Sequence, residues 1–177
     1  MADETPTTDT PATEANGADN QPMVQALMQY VKDFSAESPN APHAFQWQVQ
    51  PQVDVQFNIN VEAIADDVHE VVLKIELAAK SDQGAHFLVD LSYAGLFGIR
   101  NVPNEAMAPF LLVEAPRLLF PFARQIIAEA VQNTGFPPLL LEPIDFEGAF
   151  VQRMEAARAE AEANGNAAIA DGPVGNA

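Results

Sequence analysis

The sequence predicts an α+β fold in which an antiparallel sheet is covered on one face by helices. Two observations carry that reading. Apolar and polar residues alternate strictly before Pro103, whereas apolar residues recur at three and four positions after it. Strand-like segments also come first and helix-like ones follow, instead of interleaving as they would around a parallel sheet.

The chain has 177 residues, enough for one domain with a hydrophobic core. Residues 1–22 are Thr, Pro, Ala, Asn and acids with almost no large apolar side chain, so they are expected to form a disordered acidic tail. Residues 163–177 have the same character, which leaves 23–162 as the expected folded domain.

The elements follow in order. LMQYVKDFSAE reads as a first strand with Met28, Tyr30 and Phe34 inward; a short helix also accommodates several of these residues, and the strand is preferred. In FQWQVQPQVDVQFNINV, Phe45, Trp47, Val49, Val53, Val55, Phe57, Ile59 and Val61 alternate with polar residues, predicting a strand or bent pair of strands with one buried face. Pro51 has no N–H for a ladder and belongs at an edge or bulge. A further strand is expected over Val68 to Ala79, with Val71, Leu73, Ile75 and Leu77 on one face and Glu70, Lys74 and Glu76 on the other. The turn SDQG then leads to a strand with Phe87, Val89, Leu91 and Tyr93 alternating with Leu88, Asp90 and Ser92, an antiparallel hairpin. A helix is predicted from about Pro116 to Asn133, with Leu119, Phe122, Ile126 and Ile127 on one side, Pro121 in its first turn or at a kink, and Gly135 and Pro137-Pro138 as its stop. Asp145 is a good N-cap for a last helix whose inner face carries Phe146, Phe150, Met154 and Ala157.

Composition narrows the function. Twenty-five acids against eight Lys and Arg give a net charge of -17, a field that repels phosphate backbones and anionic lipid and suits a basic protein surface. Solubility alone is the more ordinary reason for such a charge. With no cysteine, disulfides, thiolate metal sites and thiol nucleophiles are excluded, and a reducing cytoplasm fits. The acidic N-terminus lacks a signal peptide's basic and apolar regions, and no run approaches the roughly 18 apolar residues of a membrane span, so a protein neither exported nor membrane-embedded is expected.

The residues offer little chemistry. His43, His69 and His86 lack metal-ligand spacing, Asp66-Asp67 lies in a polar turn where carboxylates are solvated, and no phosphate loop or nucleophile elbow occurs. No enzyme, cofactor or metal is expected. What stands out is GFPPLLLEPIDF, where Phe136, Leu139, Leu140 and Leu141 occupy a proline-stiffened connection that is normally polar. Such side chains either roof the core, the more ordinary arrangement, or line a groove for another apolar segment.

Three motifs in order, YVKDFSAESPNAPHAF, ADDVHEVVLKIELAAK and APRLLFPFARQIIAEAVQNTGFPPLLLEPIDF, resemble the SecB family of protein-export chaperones across nearly the whole expected domain. That resemblance implies a four-stranded antiparallel sheet with helices on one face, a dimer-of-dimers tetramer and no cofactor. It implies a cytosolic holdase that binds unfolded secretory precursors and delivers them to SecA; the alternative is a SecB-like holdase for another client or a toxin–antitoxin system. By position, the resemblance assigns SecA binding to Asp33, Glu37, Leu88 and Asp90. It assigns a precursor groove to Val53, Val55 and Phe57 of the alternating strand and to Phe136, Leu139 and Leu141 of the prolyl loop. The pattern departs from the family at Val49, which stands before Gln50-Pro51 where a Trp is frequent, while Trp47 lies earlier. An apolar excess on the main helix, at Leu118, Phe120, Phe122, Ile126 and Val131, agrees with an oligomer.

Overall fold

The computed structural model describes residues 21–170, with side chains through residue 162. The tails expected at 1–22 and 163–177 fall largely outside the described residues, although the last helix is traced to Ala170.

Four long strands form one antiparallel sheet: β1 (Met23–Glu37), β2 (Gln52–Ala65), β3 (Val68–Ser81) and β4 (Gly84–Arg100), in spatial order β1-β4-β3-β2. The first segment is therefore strand throughout. Short turns join β2 to β3 at Asp66-Asp67 and β3 to β4 at Asp82-Gln83, where Ser81 pairs with Gly84. β1 and β2 are the sheet edges because the chain crosses from one side to the other between them, through residues 38–51.

That crossover corrects one expectation. Residues 45–50 alternate like a strand, yet His43–Gln46 is a turn of 3-10 helix, and β2 begins only after Pro51. Pro42 and Pro51 deny the segment ladder donors, and Asn40 and Ser38 tie it to β4 by bonds from Asn40 Nδ2 to the Ala85 carbonyl (3.0 Å) and Ser38 Oγ to the His86 carbonyl (2.9 Å). Period two in a sequence needs a free ladder partner to become a strand, and this stretch has none.

Cross-strand partners share a sheet face, so register settles orientation. Phe87, Val89, Leu91, Tyr93 and Phe97 of β4 and Val71, Leu73, Ile75 and Leu77 of β3 are buried on the helix-covered side. On β1 the expected parity fails. Phe34 pairs with Leu91 and faces the helices, but Tyr30 pairs with Ala94 and Met28 with Leu96, on the open face. The register shifts between Val31 and Asp33, and again between Ala26 and Met28. Each bulge inserts one residue and reverses the side to which everything beyond it points.

The helical layer starts earlier than the sequence suggests. α1 (Asn104–Pro109), a π-helical turn (Phe110–Glu114) and α2 (Ala115–Asn133) run without a break. Pro109, Pro116 and Pro121 all stand within this run; each costs a single N–H donor, and the wide turn between the first two absorbs the mismatch. By length and composition, Asn104–Asn133 is apolar enough to cross a membrane, contrary to expectation; here its inner face lies on the sheet, burying Leu119, Phe120, Ala123, Ile127 and Val131. Phe122 is not on that inner face. Together with Leu118 it is half exposed, whereas Phe120 and Val131, expected to contribute to an apolar excess, are core residues.

α3 (Phe146–Ala170) starts at Asp145, whose Oδ1 accepts the Gly148 N–H at 2.9 Å as expected of an N-cap. Phe146 is buried and Phe150 half-buried; beyond it Met154 and Ala157 are exposed, so of the described side chains of this helix those of the first turns touch the core. α2 lies mainly over β4 and β3 and only grazes β1, which leaves Val31 and Phe34 of β1 and Val53, Val55 and Phe57 of β2 partly open on the same side.

Candidate binding surfaces

The open face of the sheet is ordered in rows. Asp33, Ser92, Lys74 and Asn58 are paired in sequence across all four strands, as are Ser35, Asp90, Glu76 and Gln56, and Glu37, Leu88, Ala78 and Asp54. Asp33, Glu37, Leu88 and Asp90 thus share one face, although they come from opposite ends of the hairpin region. The last two rows line a shallow depression of about 370 Å³. Asp54 and Glu76 add two carboxylates that sequence reasoning did not single out; what marks them is only the pairing of β2 and β3.

Lys74 is set within this acidic surface. Its Nζ lies 2.6 Å from Glu76 Oε1 and 3.2 Å from Asp90 Oδ2. These contacts, the Glu76 bond foremost, hold the ammonium above the ordinary lysine range. The other carboxylate oxygen of Asp90, Oδ1, is shielded from solvent and has no hydrogen-bond partner.

Further along the same face, Glu70 is buried although it stands on the wet side. It accepts bonds from the Tyr30 hydroxyl and from Lys32 Nζ, the latter at 2.5 Å. Lys32 first and Tyr30 second hold its carboxyl below the usual range, while the Glu70 bond raises the Tyr30 phenol. The cluster bridges β1 to β3 over the intervening β4.

The helix side carries a different surface along the β2 edge. At one end, Phe45, Trp47, His86 and Phe136 surround a cleft of about 420 Å³. Ring centroids stand 5.3 Å apart for Phe45 and Phe136 and 4.9 Å for Trp47 and His86. His86 is buried and its Nε2 is 3.0 Å from Ser81 Oγ. Gly135 adopts φ +93°, and the Phe45 ring would lie 2.9 Å from any Cβ placed there, so glycine is what lets the prolyl loop close on the crossover. At the other end Phe57, Ile59, Leu112 and Phe150 line a cleft of about 200 Å³ with Asn58 and Arg153 at its polar side.

Val49, Val53, Val55 and Phe57 join the two clefts. Phe57, 37% exposed, packs edge-on to the buried Phe146 at 5.6 Å. Of the prolyl-loop residues, Phe136 and Leu139 are half-buried against the core, and Phe136 lines the first cleft. Leu141 is buried in the core, so there the ordinary arrangement holds, whereas Leu140 is 65% exposed. Phe45 and Trp47 were not legible as lining because their segment reads as strand; the hint available was the pair of prolines in SPNAP, just before them, and His86 joins them from β4.

Among the described residues no group of three His, Asp or Glu is placed to hold a metal. A broad apolar track lies on one side of the sheet and an acidic face on the other, two extended surfaces of the kind that make a binding protein. The family model described as preprotein translocase subunit SecB matches residues 17–157. The chain is 53% identical to the protein-export protein SecB of Sphingopyxis alaskensis, with both chains covered in full, and 53% identical to that of Erythrobacter litoralis over 85% of this chain and 84% of the relative. Among solved structures, the SecB-like chaperone of Mycobacterium tuberculosis, in complex with a ChAD peptide from an antitoxin, is similar with a TM-score of 0.57 at 19% identity, covering 68% of this chain and 90% of that one; it shows the fold. The chain belongs to the SecB family, a family of export chaperones and not of enzymes.

Proposed function

We propose that this export chaperone is a cytoplasmic holdase with two working surfaces. The β2 edge track, with Val53, Val55, Phe57, Phe136 and Leu139 at its surface and Leu141 as support beneath, takes unfolded secretory precursors. The open face, at Asp33, Glu37, Leu88 and Asp90, takes SecA. The observation that carries this reading is the segregation itself: apolar and acidic surfaces lie on opposite faces of one sheet, so a bound precursor leaves the acidic face free. Polypeptide on the track is held by apolar burial and by backbone bonds to the unpaired edge of β2, neither of which reads a particular sequence.

The same reading includes a dimer-of-dimers tetramer. Leu118 and Phe122 on the outer side of α2, with Val31 and Phe34 beside them on the β1 half of the sheet, form apolar surface that a second copy would cover.

The test is calorimetric titration of SecA, and separately of an unfolded precursor, into the protein at physiological salt. Reversing Asp33, Glu37 and Asp90 to Lys is expected to weaken SecA binding while suppression of precursor aggregation persists. Unchanged SecA affinity would remove the acidic face from the mechanism.

A further inference from the structure

Two lysines stand on this part of the open face: Lys80 lines the depression, and Lys74 is the one bonded to carboxylates of the acidic rows. Its ammonium bonds Glu76 at 2.6 Å and Asp90 at 3.2 Å, and its side chain is 40% exposed. A partner that recognises this face through positive charge therefore meets two carboxylates that already hold an internal cation.

Asp90 shows what the internal cation leaves undone. Oδ2 is paired with Lys74, but Oδ1 is closed off from water and accepts no bond. A carboxylate has acceptor sites on both oxygens, and an ammonium, a point donor, engages only one of them here. A guanidinium presents two parallel N–H groups and engages both. Reaching Oδ1 requires neighbouring side chains to move, and Lys74 is the one bonded to the same carboxylate.

We propose that Lys74 is a competing latch on the SecA-facing surface: it occupies Asp90 in the free chaperone, and docking of an arginine-bearing segment transfers Asp90 from Lys74 to the partner's guanidinium. Lys74 keeps Glu76 as its alternative partner, so the exchange strands no charge. A lysine ammonium is charged at neutral pH, and Glu76 and Asp90 favour its charged form further, so the latch is opened by competition, not by loss of its proton. The inference rests on the reading of the open face as a docking surface.

The two ideas separate in one experiment. SecA binding is measured for the unsubstituted protein, Lys74→Gln, Lys74→Arg, Asp90→Asn and Glu37→Gln over a salt series. Two synthetic octapeptides of equal charge, all-Arg and all-Lys, are titrated in parallel. Removing the competing cation should tighten SecA binding about two- to tenfold, most strongly at low salt and mainly through a faster on-rate. Lys74→Arg retains the charge and should bind no more tightly than the unsubstituted protein. The all-Arg peptide should bind better than the all-Lys peptide, with the difference lost in Asp90→Asn. If Asp90→Asn and Glu37→Gln weaken binding but Lys74→Gln leaves it unchanged or weaker, the latch is overturned and the docking surface stands. If none of the carboxylate variants changes SecA affinity, the docking surface fails and the latch with it.

Discussion

Glu70→Gln is the sharpest test of how the open face is held together. The substitution keeps the shape of a buried side chain and removes its charge: one oxygen becomes a neutral carbonyl that still accepts a bond, and the other an NH2 that only donates, to the Tyr30 hydroxyl or to water, and no longer accepts from Lys32. A hydrogen bond to a charged group contributes about 1.5–3 kcal/mol and a neutral one about 0.5–1.5, so the Tyr30 bond loses about 1 kcal/mol. Lys32 is 45% exposed and its ammonium can return to water, so its share is closer to a surface pair, about 0.5 kcal/mol. Glu62 stands directly opposite Glu70 on β2, and relief of that like-charge pair gives back about 0.3 kcal/mol. The net loss is about 1 kcal/mol, or roughly half a molar in the urea midpoint at fixed chain concentration. The pH dependence has a definite sign. Because the folded-state pKa of Glu70 is lowered, its contribution is present above the unfolded carboxyl value of 4.5 and disappears as pH falls through the lower folded value. The unsubstituted protein and Glu70→Gln should therefore differ at pH 7 and converge on acidification. Equal midpoints at neutral pH, or a difference that persists through the carboxylate range, would refute the cluster as a clamp between β1 and β3.

Other expectations follow from particular contacts. A Cβ at Gly95 would lie 2.9 Å from Leu119 Cδ2 and Phe97 Cε2, both in fully buried side chains, so Gly95→Ala should destabilise by about 1–3 kcal/mol in the same urea assay. Leu118→Asp with Phe122→Asp places charge on the exposed side of α2 and should lower the mass found by light scattering while the far-ultraviolet dichroism is retained. Val55→Asp puts a carboxylate in the middle of the β2 track, where the side chain is 38% exposed, and should weaken precursor binding without weakening SecA binding.

Much of this architecture was legible in the sequence because the two central strands carry an unbroken period of two. Val71 to Leu77 and Phe87 to Tyr93 alternate without insertion, and a sheet with one buried face accepts only one register for such a pattern. The relation of Asp33 and Glu37 to Leu88 and Asp90 was within reach for the same reason: Asp33 and Glu37 lie beyond the bulge at Lys32, where β1 pairs with Leu88 to Ser92 of β4 without a further shift. The turn chemistry and the cap at Asp145 are likewise local properties of a few adjacent residues.

Only the tertiary structure decided the rest, wherever a residue's role depends on what the chain brings beside it. Tyr30 and Met28 point to the open face because of a bulge that leaves no mark in hydrophobic spacing. Phe45 and Trp47 line a cleft because the crossover is pinned to β4 and capped by a prolyl loop from far along the chain. The helix expected from about Pro116 starts a dozen residues earlier, because a π-helical turn joins Asn104–Pro109 to it. The acidity of the chain was plain from composition, but the placement of Lys74 between Glu76 and Asp90 was not. Composition counts charges, and only the pairing of strands determines which of them meet.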